Sequence, residues 1–293
     1  MIIKKVSDLE NILESLRLEK KKKIYFIPTM GSLHKGHISL IKFAEKKKAF
    51  IILSIFVNPL QFDDKKDFKK YPRDLQKDMS IIKDLKINVV LLPEISFAKD
   101  LSFPNIKIKK LDKKLCGIDR PGHFLGVASV VLKFLNLIRP NFIVLGEKDF
   151  QQILVIKKVI KDFSLKTKVI GLPIIREVSG LALSSRNKLI PFEKTKIAEN
   201  IYTCLKQISK ELITSGLEIK KLESYKNKLL NLGIEKVNYL EILKETNLEV
   251  LDLKPSIARI FISVKFFGIK LIDNLRVSKR LVQKKGFILG VKD

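Results

Sequence analysis

The sequence predicts an α/β chain, a parallel-sheet domain followed by a smaller α+β domain, and three observations carry that prediction. Short apolar runs such as Ala49 to Val57 have the continuous composition of strands buried on both faces. Segments with apolar residues at three- and four-residue spacing separate them. Strand, helix and strand therefore recur within about 30 residues, the repeat of a right-handed βαβ unit. Beyond Asn187 the texture changes to two long amphipathic segments and then to strands close enough to pair antiparallel. With 293 residues, 46% of them hydrophobic, the chain has length for one large or two modest domains. The boundary is expected between Arg176 and Asn187, giving domains 1–176 and 177–293.

Taken in order, Val6 to Leu18 reads as a surface helix capped by Ser7 or Asp8, with Leu9, Ile12, Leu13 and Leu16 as its apolar stripe. Ile24-Tyr25-Phe26 begins the first buried strand, and Ile38, Leu40, Ile41 and Ala44 mark the helix after it. The strand Ala49 to Val57 runs into Asn58-Pro59-Leu60-Gln61-Phe62, and Asp63 to Lys70 reads as an exposed loop. Tyr71-Pro72-Arg73-Asp74 opens a helix to Leu85, and Asn88 to Leu92 is the next strand. A short strand is expected from Ile106 to Leu111, then a Gly- and Pro-marked loop from Cys116 to Gly126 that carries His123. Val127 to Ile138 is an apolar helix, and Asn141 to Leu145 and Lys168 to Leu172 are strands. Glu193 to Leu212 and Leu217 to Leu232 read as helices; Val237 to Leu243, Ala258 to Phe266 and Ile269 to Ile272 read as strands.

The chemistry concentrates at strand-to-helix turns. Ile27-Pro-Thr-Met-Gly-Ser-Leu-His-Lys-Gly-His37 places two of the three histidines, His34 and His37, where a helix begins. Unpaired N–H groups and the positive end of the helix dipole make such a turn a seat for phosphate. Gly31 and Gly36 let backbone and ligand approach closely, because neither carries a Cβ. The turn has neither the P-loop pattern nor the dinucleotide fingerprint. It resembles the His-x-Gly-His signature of the nucleotidyltransferase superfamily, so the first domain is expected to be a Rossmann-like nucleotide-binding domain. Further along, Lys148 in Gly146-Glu-Lys-Asp149 is a point-charge phosphate ligand, and Asp149 is placed to cap the next helix or bond a ribose. Leu181-Ala-Leu-Ser-Ser-Arg-Asn187 clusters two hydroxyls and a guanidinium on a loop. Asp78 reads as a solvated helix carboxylate, with a bound magnesium ion as its other reading.

Composition excludes several classes. Two distant cysteines, Cys116 and Cys204, give no disulfide or zinc framework and fit a reducing compartment. The N-terminus has no apolar core of signal length, and no run of about 18 apolar residues occurs. A cytoplasmic protein without a membrane partner is expected. The net charge of +27 suggests nucleic acid, but of 58 basic residues only nine are arginine. Lysines spread over surface faces lack the bidentate guanidinium of base and phosphate readers, so no specific nucleic-acid partner is expected.

Together these segments resemble the pantothenate synthetase (pantoate–β-alanine ligase) family along nearly the whole chain. The resemblance rests on Pro28 to His37, Ser54 to Phe62, Tyr71 to Arg73, Arg120 to Val127, Gly146 to Gln152, Arg176 to Asn187 and Gly268-Ile-Lys-Leu-Ile-Asp-Asn274. Ser32 and Lys35 depart from the alanine and glutamate usual in the family. The resemblance implies ATP-dependent ligation of pantoate to β-alanine through pantoyl adenylate. It implies His37 as proton donor, with His34, Lys148, Ser184, Ser185 and Arg186 on phosphates. Met30, Gly31, Ser32, Leu33, His34, Lys35, Gly36, His37, Gly146, Glu147, Lys148, Asp149, Ile175, Leu183, Ser184, Ser185 and Arg186 would wrap ATP. Gln61 and Gln152 would bind pantoate, with Gln61 also beside β-alanine. Mg2+ is expected with the triphosphate, and the family is usually a homodimer. A nucleotidyltransferase for another acid, and a basic nucleic-acid-binding protein that kept the nucleotide fold, are the alternatives.

Overall fold

The apolar runs of the first half form strands buried on both faces, which leaves few positions for a polar side chain. In chain order the elements are β1 (Ile2–Ile3), α1 (Val6–Glu19), β2 (Ile24–Thr29), α2 (Lys35–Lys46), β3 (Phe50–Ile55), α3 (Lys65–Lys70) and α4 (Leu75–Ile82). Then come β4 (Val89–Leu91), α5 (Ser96–Lys99), α6 (Cys116–Asp119), α7 (His123–Ile138), β5 (Phe142–Gly146), α8 (Phe150–Asp162) and β6 (Lys168–Leu172). The computed structural model describes residues 1–19, 22–99, 106, 108 and 110–291. These form two compact units: Met1–Lys113 with Arg120–Ile175, and Lys114–Asp119 with Arg176–Asp293. Among the described residues no helix is long and apolar enough to cross a membrane.

In the first unit six strands pair in parallel in the order β1-β4-β3-β2-β5-β6. Phe26, Ile27, Ile52, Leu53, Ile143 and Val144 are fully buried at its centre. Two asparagines fix where strands begin. The Ile24 N–H donates to Asn141 Oδ1 at 2.8 Å and the Ile51 N–H to Asn88 Oδ1 at 2.9 Å. Tyr25, Ile27, Leu53 and Val144 share one core cluster with Leu40, Ile41 and Ala44 of α2. Phe134 of α7 meets the Phe26 ring at 5.2 Å and the Phe97 ring at 4.6 Å. From β2 the chain steps outward through β3 and β4, then resumes at β5 on the other side of β2. Ligands of open parallel sheets bind beyond the strand carboxyl ends where the order reverses. That point lies beyond Thr29 of β2 and Gly146 of β5.

The second unit contains α9 (Thr195–Thr214), β7 (Leu217–Glu218), α10 (Lys221–Asn231), β8 (Lys236–Lys244), β9 (Ser256–Phe266), β10 (Ile269–Lys284) and β11 (Phe287–Gly290). Its strands pair antiparallel in the order β7-β11-β10-β9-β8. Ala198, Ile201, Leu205, Ile208 and Leu212 of α9 pack into one core with Ile260, Ile262 and Val264 of β9. Two tight turns join the last three strands, with both central residues at positive φ: Phe267 (49°) and Gly268 (69°), then Lys285 (45°) and Gly286 (79°). Turns of this hand match the right-handed twist of paired strands.

Several sequence expectations are corrected. Asp63 to Lys70 is not wholly loop: Asp64 caps α3 by accepting from the Lys66 N–H. The helix after Tyr71 starts at Leu75, because Asp74 takes the cap position, and ends at Ile82. The strand expected from Ile106 to Leu111 lies partly outside the described residues, and Ile106, Ile108, Lys110 and Leu111 are irregular or turn. The loop before α7 contains α6, and α7 begins at His123. Leu217 and Glu218 form a strand with β11 instead of opening a helix. β10 runs on to Lys284 and is followed by β11, so the final hairpin is an addition to the expected strands.

Candidate active site

The histidine turn is held from beneath. After β2, Gly31 at φ +77° and Ser32 at φ +49° adopt the left-handed region, which turns the chain sharply toward α2. The Thr29 hydroxyl donates to the Ser54 carbonyl at 2.7 Å and accepts the Gly31 N–H at 3.3 Å. Asp78 of α4 accepts the Ser32 N–H at 2.8 Å and the Leu33 N–H at 2.7 Å. Only 2% of Asp78 is exposed, so it is not the solvated carboxylate expected from the sequence.

His34 is the N-cap of α2, and the two histidines close a reciprocal cap. His34 Nδ1 accepts the Gly36 N–H at 3.1 Å, while His37 Nδ1 accepts the His34 N–H at 3.3 Å. An accepting Nδ1 carries no proton, so each neutral ring carries it on Nε2 and presents a donor there. The rings lie 4.1 Å apart, centre to centre. Two N–H donors at the positive end of a helix suit the oxygens of a phosphate chain.

A second platform follows β3. Asn58 caps a 3-10 turn, Pro59–Gln61, by accepting the Leu60 N–H at 3.0 Å. Its amide donates to the Gly126 carbonyl at 3.0 Å and to Gln61 Oε1 at 3.2 Å. The Gln61 Nε2 reaches Met30 Sδ at 2.9 Å, which links this turn to the histidine turn. The Gln61 carbonyl accepts from Arg120 at 3.1 Å and bonds His123 Nδ1 at 2.7 Å. Since a carbonyl only accepts, His123 donates from Nδ1. Burial, then the nearby Arg120 guanidinium, lower the His123 pKa to about 4. Gly126 makes this packing possible: a Cβ there would lie 2.1 Å from the Leu60 carbonyl oxygen.

Beyond β5, Glu147–Asp149 form a 3-10 turn that leads into α8. Lys148 Nζ stands 3.9 Å from Asp149 Oδ1, and Asp149 occupies the cap position of α8 without a side-chain cap bond. Gln151 is buried and donates to the Leu111 carbonyl at 2.8 Å, whereas Gln152 is half-buried. In the second unit Ser184 accepts the Arg186 N–H at 3.2 Å, and Asn187 donates to the Ala182 carbonyl at 3.0 Å. Arg176 anchors this loop: it pairs with both oxygens of Asp273 at 2.6 and 2.9 Å and stacks 3.8 Å from the Tyr202 ring centre.

A sequence profile of the pantoate-beta-alanine ligase family matches residues 1–276. The chain belongs to this family. It is 38% identical over 276 residues to pantothenate synthetase of Thermosipho africanus, covering 94% of this chain and 99% of that one. It is 41% identical over 286 residues to the enzyme of that name from Buchnera aphidicola, covering 95% and 99%. Among solved structures, pantothenate synthetase of Thermus thermophilus superposes with a TM-score of 0.84 at 31% identity, covering 94% and 99%. The Francisella tularensis pantoate-beta-alanine ligase, complexed with beta-gamma ATP and beta-alanine, gives 0.81 at 38% identity, covering 95% and 98%.

Within this pantoate–β-alanine ligase fold, Met30 to His37, Gln61, Gly146 to Asp149, Gln152 and Ile175 all belong to the first unit. The structure joins the first two groups by the Gln61–Met30 contact and sets Gly146 to Asp149 at the strand next to β2. Leu183, Ser184, Ser185 and Arg186 belong to the second unit, on the loop that Arg176 holds. Asn58, Arg120 and His123 shape the site without being assigned a role in it by the sequence, and Asp78, read there as a solvated carboxylate or a magnesium ligand, holds the turn instead. The signal for Asp78 was faint: one carboxylate on a helix with polar neighbours looks solvated until the fold turns it inward.

Proposed function

We propose that this chain condenses pantoate with β-alanine, using ATP, through a pantoyl-adenylate intermediate. A pantoate carboxylate oxygen bonds to the α-phosphorus, the bond to the β-phosphate breaks, and pyrophosphate leaves. The β-alanine nitrogen then bonds to the acyl carbon and loses a proton, and AMP leaves with the adenylate oxygen. No protein nucleophile is needed; alignment and charge stabilisation carry the barrier reduction.

The observation that carries the reading is the reciprocal cap of His34 and His37, each ring accepting a backbone N–H at Nδ1, beyond β2 where the strand order reverses. In this reading His37 is the proton donor. His34, Lys148, Ser184, Ser185 and Arg186 hold phosphates. Met30 to His37, Gly146 to Asp149, Ile175 and Leu183 to Arg186 contact ATP. Gln61 and Gln152 bind pantoate, and Gln61 also meets β-alanine. Magnesium enters as part of the substrate, MgATP. Phosphate oxygens and water would supply most of its ligands. A cytoplasmic homodimer with no specific nucleic-acid or membrane partner belongs to the same proposal, and sedimentation as a dimer tests the assembly. The chemistry is tested by exchange of labelled pyrophosphate into ATP without β-alanine. Exchange that requires pantoate is expected; exchange indifferent to pantoate refutes the acid.

A further inference from the structure

Asp78 has no place in the reaction as proposed, yet it is the buried charge around which the histidine turn is built. Its two oxygens accept the Ser32 and Leu33 N–H groups at 2.8 and 2.7 Å. The turn is fitted to that carboxylate: a Cβ on Gly31 would lie 2.8 Å from Asp78 Oδ2. Ser32 is held at φ +49°, a conformation that L-residues adopt at a cost unless their surroundings enforce it. Because Ser32 and Leu33 turn their N–H groups toward Asp78, the phosphate-facing donors of this turn fall to the helix start and the two imidazoles.

We propose that Asp78 is a positioning residue for His34 and His37. By gripping the two amides before the cap, the carboxylate sets where α2 begins and so which way both Nε2–H donors point. This rests on the adenylation reading above.

The substitution Asp78→Asn tests it, since the amide keeps the shape but turns an NH2 group against an N–H. The folded variant is expected to exchange pyrophosphate about 10²-fold more slowly, the cost of misplacing reacting groups by an ångström. The magnesium requirement should stay within about threefold, because in this role Asp78 acts through the Ser32 and Leu33 amides. Nitrogen-15 spectra of the His34 and His37 rings should show loss of the single Nε2–H tautomer. Wild-type exchange with unchanged ring spectra overturns the proposal. So does a loss that acts through a raised magnesium requirement, which would make Asp78 a metal ligand. If D78N does not fold, Asp78→Glu, which keeps the charge and shifts the carboxylate by one methylene, is read by the same criteria. If the wild type shows no pantoate-dependent exchange, the adenylation reading fails, and the ring spectra alone still decide whether Asp78 sets the tautomers.

Discussion

Backbone amides decide where the protons of His34 and His37 sit, because each Nδ1 is occupied as an acceptor. A neutral ring of that tautomer offers a hydrogen-bond donor to the negative charge that builds on the departing pyrophosphate. His37→Ala is expected to lower the exchange rate by about 10² to 10³, the usual loss for one positioned donor. Steady-state exchange on a variant whose circular dichroism matches the wild type checks this; near-normal turnover refutes the role. Candidate residues defined by side-chain chemistry were legible in the sequence as expectations, because His, Lys and Gln at strand ends suit phosphate and hydroxyl chemistry. Residues that act through the backbone were not. Asp78 looks like any surface carboxylate until its partners, some 45 residues earlier, are brought beneath it.

At the scale of elements, the approach of α7 to the Pro59–Gln61 turn fixes Gln61. Gly126 permits the contact and His123 ties it. His123 titrates near 6.5 in the unfolded chain and at about 4 in the folded one. Between those values the unfolded chain takes up a proton that the native state refuses, so stability rises with pH across that window and is lost as pH falls through it. The loss is about 3 kcal/mol in full. Urea unfolding at stepped pH should show that slope, and His123→Gln should flatten it; an unchanged slope in the variant contradicts the assignment. Strands β2 to β6 and α2, α7, α8 and α9 were readable because their apolar patterns are long or unbroken, whereas β1, of two residues, left no pattern to read. β10 and β11 were missed beyond Ile272 because Val277 to Lys284 mixes lysine and arginine with its apolar residues. The turn Lys285-Gly286 also lacks the Asn-Gly or Asp-Gly signal of a tight hairpin.

For the whole molecule, a boundary between Arg176 and Asn187 was visible as a change of texture. The structure starts the main part of the second unit at Arg176. Nothing in the composition of Lys114–Asp119 shows that these residues also belong there. They join it through single contacts, such as Lys270 Nζ donating to the Asp119 carbonyl at 2.7 Å and Cys116 Sγ lying 3.0 Å from the Tyr239 hydroxyl. Contacts of that kind leave no periodicity to read. In the proposed reaction the acid attacks the α-phosphorus. The most direct measurement uses pantoate carrying oxygen-18 in both carboxylate positions, with ATP, magnesium and β-alanine, and mass analysis of the products. One label is expected in the phosphate of AMP and the other in the amide carbonyl of pantothenate. AMP free of label would contradict it, because the carboxylate would then never have been joined to the nucleotide.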